Sequence, residues 1–334
     1  MKITIKEIAQ MAGVSVATVS RVVNNNPQGV GKVKRQEILE LIEKYNYTPN
    51  LIAKSMVTNK TQCIGLLIPD ILNPFFQNLA RGIEDYAMQK GYSVFFCNTD
   101  NQVDKYLNYI KVMTSKNVDG LIITGYLEEI STELDKALKN TKVVIIDRYT
   151  ESRGYCQITT ENSIAAYEMT AHLLAKGHRR IACITGPSHF HINEERVKGY
   201  KKALEEAKVK YDESLMFEGN FELSSGEEQG ELIIQQTDAT AIFCFNDMMA
   251  QGVYKVFRKL GKNIPEDISV VGFDDIYSAE LMVPPLTTMK QPAYPMGEMA
   301  AQLLIEWMDQ NVLDHKHIKL SSEIVIRESV KKIN

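Results

Sequence analysis

Residues 4–23, TIKEIAQMAGVSVATVSRVV, read as two short helices joined by a tight turn. Thr4 and Glu7 have the spacing of a capping box, in which the hydroxyl caps the helix and the carboxylate returns a bond to the Thr4 amide. Ile5, Ile8, Ala9 and Ala12 then share one helical face. Gly13 stands where the chain must leave the helix, and a left-handed backbone there is cheap only for glycine. Val14 opens the turn, and Ser15 is placed to cap a second helix over Val16–Val23. Val19, Val22 and Val23 point toward the first helix, leaving Val16, Ala17, Thr18 and Arg21 on other faces. Ala9 permits a close helix crossing, Gly13 the turn, and Val19 the packing between helices, which is what a DNA-reading helix-turn-helix requires. A third helix is predicted over Lys32–Asn46, capped by Gly31, with Val33, Ile38, Leu41 and Ile42 buried.

Charge supports a polyanion partner for this segment alone. Residues 1–60 hold seven Lys and two Arg against four Glu and no Asp, a net +5. The other 274 residues hold 29 basic and 38 acidic side chains, a net −9, and the two parts give the −4 of the whole chain. A basic arm on an acidic body suggests a polyanion partner for the arm, a signal that is weak by itself. No apolar run approaches the ~20 residues of a membrane span, and no apolar leader opens the sequence, so a cytoplasmic protein is expected. Cys63, Cys97, Cys156, Cys183 and Cys244 lie far apart with no CxxC pair. Reduced, mostly buried thiols are the expectation, with no metal site and no cofactor.

Tyr47-Thr48-Pro49-Asn50 stops the third helix, and residues 50–57, NLIAKSMV, follow as a short helical segment too small to be stable alone in water. From Cys63 the pattern changes. CIGLLIPD, SVFFCNTD, DGLIITG and KVVIIDR are strand-like runs, with helices between them at about 74–90, 103–116 and 129–140. The pattern repeats with RIACITG, AIFCFND and ISVVGFDD, and helices at about 161–176, 191–207 and 247–260. Near-continuous apolar strands alternating with helices imply parallel sheets covered on both faces, here in two lobes. Ligands of such folds bind beyond the carboxyl ends of the strands, hence between the lobes. Polar residues cluster at those ends: Asn73 before Pro74-Phe75-Phe76, Asp147-Arg148, Asn246-Asp247 and Asp274-Asp275. Asp247 reads equally well as a simple helix cap.

AGVSVATVSRVVN together with YTPNLIAKSM resembles the lactose-repressor/galactose-repressor family of bacterial transcription regulators, and the body resembles periplasmic sugar-binding proteins of the ribose type. The resemblance implies a homodimer on pseudo-palindromic double-stranded operator DNA. Val16, Ala17 and Arg21 would meet base edges, Arg21 reaching a guanine. Thr4, Ser15, Thr18, Ser20 and Asn24 would position phosphates. Asn50, Ala53, Lys54 and Met56 would belong to a hinge helix that folds on the DNA, with Met56, where the family usually has leucine, as the minor-groove wedge. In the cleft, Phe75 and Phe76 would stack on a sugar ring. Asn73, Asp147, Arg148, Arg196, Asn246, Asp274 and Gln291 would bond its hydroxyls. Phe221, with His189, Phe190 and His191, stands near predicted strand ends and reads either as shaping specificity or as surface and packing. Only KKIN follows SSEIVIRESV, where some members carry a tetramer-forming helix, so a dimer is expected.

These readings define an all-α head plus an α/β body of two parallel-sheet lobes. The head spans 1–48 and the hinge 49–60. One lobe takes 61–160 with 292–320, the other 161–291 with 321–334. The expected function is a repressor of a sugar-utilisation operon, released by a sugar or sugar-acid inducer. One alternative is a small-molecule or phosphoprotein corepressor, and another is a sugar-binding transport component. An enzyme is disfavoured, since no nucleophile elbow, phosphate-cradling loop or metal-ligand spacing is present.

Overall fold

The computed structural model describes residues 3–26, 28–48, 55, 60–124, 136–139, 141–148, 155–310 and 317–333. The chain divides into two units, Met1–Thr61 and Gln62–Asn334. The first holds helices α1 (Ile5–Met11), α2 (Val16–Val23) and α3 (Lys32–Lys44). Thr4 and Glu7 complete the capping box, Gly13 takes a φ of 62°, and the Ser15 hydroxyl accepts from the Thr18 amide. Ile8, Ala9, Ala12, Val19, Val22 and Ile38 form the core of this unit. Val33, expected inside, is 84% exposed, and α3 ends at Lys44 rather than Asn46. Val33 lies in the first turn of α3, five residues before Ile38 and so about 140° around the helix from its inward side. Asn50, Ala53, Lys54 and Met56 lie outside the described residues, as does most of the helix expected at 129–140.

The second unit is built on two six-stranded sheets. The first, in the order β11-β5-β4-β3-β1-β2, is parallel throughout: β1 (Cys63–Ile68), β2 (Ser93–Asn98), β3 (Gly120–Ile123), β4 (Lys142–Ile146), β5 (Cys156–Thr160) and β11 (His317–Leu320). The second runs β12-β10-β9-β8-β6-β7: β6 (Ile181–Thr185), β7 (Met216–Glu218), β8 (Ala241–Cys244), β9 (Ser269–Asp274), β10 (Thr287–Lys290) and β12 (Glu323–Val325). Only the β10–β12 pairing in it is antiparallel. Helices α4 (Pro74–Gln89) and α5 (Val103–Ser115) follow strands of the first sheet. Around the second run α6 (Asn162–Ala175), α7 (His191–Glu206), α8 (Leu223–Gln236), α9 (Asp247–Lys259) and α10 (Tyr277–Leu281). Helix α11 (Ala293–Gln310) returns to pack on α4, β3 and β4. The main chain passes between the sheets after β5, after β10 and after β11.

Central strands carry the apolar runs: β3, β5, β6, β8 and β9 are buried along their whole length. Strand β2 departs from this, because at the edge of its sheet it exposes Phe95 and Phe96. The described cysteines are free, and all but Cys63 are buried. Burial pushes the Cys97 thiol up to about 11 and those of Cys183 and Cys244 well above the usual range, so they stay protonated.

Helices α4 and α11 touch backbone to backbone at two glycines. A Cβ at Gly82 would come within 2.2 Å of the Tyr294 carbonyl oxygen, and one at Gly297 within 2.1 Å of that of Leu79. Gly297→Ala should therefore push the helices apart and lower stability by about 1–3 kcal/mol, read as an earlier urea-unfolding midpoint.

Candidate ligand cleft and candidate DNA-reading surface

Ten of the thirteen cleft residues singled out in the sequence line one cavity of about 550 Å³, its open mouth included. They reach it from the carboxyl ends of strands in both sheets. After β1, Asn73 caps α4 by accepting from the Phe75 amide at 3.0 Å, with Pro74 at the first helical position. The cap uses one lone pair of the Asn73 Oδ1, leaving its amide N–H groups to donate elsewhere. The cap also fixes Phe75 and Phe76, whose rings meet edge to face at 5.1 Å and 74°.

After β4, Asp147 takes a φ of 67°, its amide bonded to the Ile158 carbonyl at 2.8 Å. The turn sets Arg148 beside it, Nε 3.6 Å from Asp147 Oδ2, both nearly closed to solvent. From the other sheet, Arg196 on α7 donates from Nε to Asn162 Oδ1 at 2.8 Å and from Nη1 to the Phe245 carbonyl. Its guanidinium lies 3.6 Å from the centroid of Phe273. Asn246 caps α9 by accepting from the Met249 amide at 2.9 Å, and its Nδ2 donates to the Phe221 carbonyl at 2.8 Å. Asp274 ends β9 with a φ of 121° and accepts from Gln291 Nε2 at 2.7 Å. Gln291 in turn accepts from the Thr160 hydroxyl at 2.7 Å.

Phe221 also has a left-handed backbone, at φ 69°, so Asp147, Phe221 and Asp274 all carry this costly conformation at one site. Charge is dense there too. Four carboxyl groups (Asp70, Asp147, Glu222 and Asp274) and two guanidiniums (Arg148 and Arg196) line the cavity. Burial pushes Asp274 up to about 7, opposed by Arg196 and the Gln291 bond. Burial raises Asp147 as well, opposed by Arg148 and Arg196. Arg196 is brought down to about 10 by burial, against the pull of Asp274 and Asp147.

Two carboxylates at strand ends stand apart from the cavity lining. Asp247 is fully buried and accepts from the Ile276 amide at 2.9 Å and the Thr288 hydroxyl at 2.6 Å, tying α9 to β10 and to the segment after β9. Asp275 pairs with Arg327 at 2.8 Å. His189, Phe190 and His191 are also outside the lining, although Phe190 packs behind it. Sequence reading passed over Ile192, Asn101 and Asn220, which do line it, and Thr160 and Asn162, which brace it. The polar run Thr159-Thr160-Glu161-Asn162 closing an apolar strand was the available signal for the last two.

In the head, Val16, Ala17 and Arg21 are exposed along α2, and Thr4, Ser15 and Asn24 are exposed at helix ends. Thr18 and Ser20 are half-buried. The Ser15 and Thr18 hydroxyls bond each other at 2.9 Å, and Asn24 Nδ2 donates to the Ser20 carbonyl at 2.8 Å. The second helix thus presents a pre-ordered polar rim around one apolar patch and one guanidinium.

A helix-turn-helix head and a two-lobed body of the periplasmic-binding type define a ligand-regulated DNA-binding class. Residues 4–50 match the model of bacterial regulatory proteins, lacI family, and residues 170–330 match that of the periplasmic binding protein-like domain. The HTH-type transcriptional repressor PurR of Aliivibrio salmonicida (strain LFI1238) is 35% identical over 335 residues, 99% of both chains. Among solved structures, a lac repressor dimer bound to operator and the anti-inducer ONPF shares 25% identity at a TM-score of 0.89, covering 99% of this chain and 100% of that one. A LacI family regulator from Enterococcus faecium with bound ribose shares 29% identity at a TM-score of 0.74, covering 81% and 100%. The chain belongs to the lacI family of bacterial regulatory proteins; it is a DNA-binding transcriptional repressor and not an enzyme. No described helix is long and apolar enough to cross a membrane.

Asp247→Ala should leave the Ile276 amide and the Thr288 hydroxyl buried without their acceptor. A loss of about 2–4 kcal/mol in unfolding free energy is expected, with the cavity lining untouched.

Proposed function

We propose that the chain represses a sugar-utilisation operon and that a neutral sugar of pentose size, bound between the two lobes, is the inducer that releases it from DNA. The observation that carries this reading is the distribution of polar groups in the cleft. Carboxylates, guanidiniums and amides approach from both sheets, and three phenyl rings, those of Phe75, Phe76 and Phe221, stand among them. A saturated ring with hydroxyls radiating from its rim and C–H groups on its faces uses such a site fully. Each carboxylate or guanidinium can bridge two neighbouring hydroxyls. The bound ribose named for the Enterococcus faecium regulator supports the same class. Four carboxyl groups against two guanidiniums disfavour a sugar acid or a phosphorylated sugar.

A planar heterocycle is the competing class. It would stack on apolar ring faces, whereas Phe75 and Phe76 meet at 74° and, of the parallel Phe190–Phe221 pair, only Phe221 lines the cavity. In our reading the body divides into lobes of 61–160 with 292–320 and 161–291 with 321–334. Two chains would pair on a pseudo-palindromic operator, with Thr4, Ser15, Thr18, Ser20 and Asn24 on phosphates and Val16, Ala17 and Arg21 at base edges. Asn50, Ala53, Lys54 and Met56 would order at its centre. Lobe closure around the sugar would then change the spacing of the heads.

Calorimetric titration with D-ribose, D-glucose, D-gluconate and hypoxanthine tests the effector class. Heat with the pentose alone is expected; saturable binding of hypoxanthine alone would overturn the sugar reading, and silence from all four would shift weight to a corepressor, including a phosphoprotein. Proton linkage gives a second check. A hydroxyl donating to Asp274 favours its charged form and lowers a pKa that burial has raised to about 7. Sugar uptake near neutral pH should therefore release protons, and affinity should rise from pH 6 to pH 8. Net proton uptake, measured across buffers of different ionisation enthalpy, would contradict the role of Asp274. In the head, Arg21→Ala should weaken specific binding about ten- to hundred-fold and relax preference at one base position, as gel-shift titrations against operator variants would record.

A further inference from the structure

Arg148 and the aromatic rings that receive it come from different lobes. Arg148 follows β4 of the first sheet; Phe190 opens α7 after β6, and Phe221 follows β7, both of the second. The Arg148 guanidinium carbon stands 4.1 Å from the Phe190 ring centroid and 5.8 Å from that of Phe221. The two rings are parallel to within 5°, their centroids 6.3 Å apart, and the His189 ring meets Phe190 edge-on at 4.5 Å. Both rings are held firmly. The Phe190 amide bonds the Pro187 carbonyl at 3.1 Å, and its own carbonyl accepts from the Asn193 amide at 2.8 Å. Phe221 is fixed by Asn246, and its ring fills the space beside Gly186, where a Cβ would come within 1.9 Å of Phe221 Cζ.

Phe190 is nearly closed to solvent, yet it is not part of the cavity wall. Its face is turned to a guanidinium that is part of that wall and that shares the site with Asp147. A desolvated guanidinium over a ring face is among the stronger cation–π arrangements.

We propose that Phe190 is a positioning residue: the aromatic seat, built in one lobe, on which Arg148 of the other lobe rests, so that one contact fixes both the aim of the guanidinium at the effector and the closed angle of the lobes. This rests on the sugar-binding reading for its first half only. The seat explains why an arginine adjacent to an aspartate is not simply neutralised by it. The ring takes the guanidinium by its face, so that its hydrogen bonds run in the guanidinium plane.

The test compares full-length wild type with F190Y and F190L. Tyrosine keeps the π face, and leucine keeps an apolar side chain without it. D-ribose affinity by calorimetry should stay within about two-fold for F190Y and fall about ten-fold or more for F190L. Hydrogen exchange, followed by mass spectrometry over 142–148, should quicken in F190L and not in F190Y. That segment lies in the lobe opposite to the substitution, so a packing defect confined to the lobe of residue 190 would leave it unchanged. Wild-type affinity and exchange in F190L would overturn the proposal, as would equal impairment of both variants. If the wild type takes up no D-ribose, the sugar reading falls by itself. The exchange comparison then decides the seat: unchanged exchange over 142–148 in F190L rejects it, and faster exchange upholds it.

Discussion

Opposite charges buried together between two sheets are the constraint on which the body depends. Taking even one ion out of water costs several kcal/mol, so such groups persist only when each is paired and hydrogen-bonded. Here the buried guanidiniums and carboxyl groups stand against one another or against fixed polar groups. Arg148 lies beside Asp147, Arg196 is held by Asn162 and the Phe245 carbonyl, and Asp274 is held by Gln291. The left-handed turns at Asp147 and Asp274 are the backbone cost of aiming carboxylates from strand ends into one space. Parallel strands make this convergence available, because all their carboxyl ends in a sheet point the same way.

The same cluster is tied to the segments that join the lobes. Thr160 closes β5 and donates to Gln291, which follows β10; the Glu161 amide bonds the Leu320 carbonyl at 2.9 Å at the third passage. Asn162, one residue beyond Glu161, accepts from Arg196 and donates to the Thr160 carbonyl at 3.2 Å. A ligand that re-aims Asp274 or Arg196 therefore acts directly on the passages about which the lobes would turn. Energetic coupling of that kind is reciprocal: whatever factor the effector takes from DNA affinity, DNA takes from effector affinity.

Much of this was legible in the sequence because local and global signals agreed. In the head, a capping box, a glycine at a turn and valines at helical spacing each gave the same answer, and the helix limits of α1 and α2 followed. In the body, the strands that could be read were the long apolar runs, the central β1, β3, β4, β6, β8 and β9 and the edge strand β2, whereas β5 and β10, internal but rich in threonine, were passed over. The shortest edge strands escaped as well: β7, β11 and β12 have three or four residues and mixed burial, and no periodicity can be drawn from so few positions. Helix α8 escaped because its sequence, LSSGEEQGELIIQQ, buries small residues such as Ser225, Gly226 and Gly230 rather than large apolar ones. The ten cavity residues were found because a family resemblance carried positions that strand ends alone only suggested. Phe190 and Thr160 were not assigned their contacts, since both act on partners more than 40 residues away or in the other lobe, and spacing along the chain holds no trace of that.

The central claim is that a sugar between the lobes weakens the hold on DNA. The most direct test is to select genomic fragments with the full-length protein and measure the affinity of one such fragment at zero and at saturating D-ribose. The account predicts a weaker complex with the sugar present. Tighter binding with D-ribose would reverse the sign of the coupling, and an unchanged affinity with the sugar demonstrably bound would contradict the account outright.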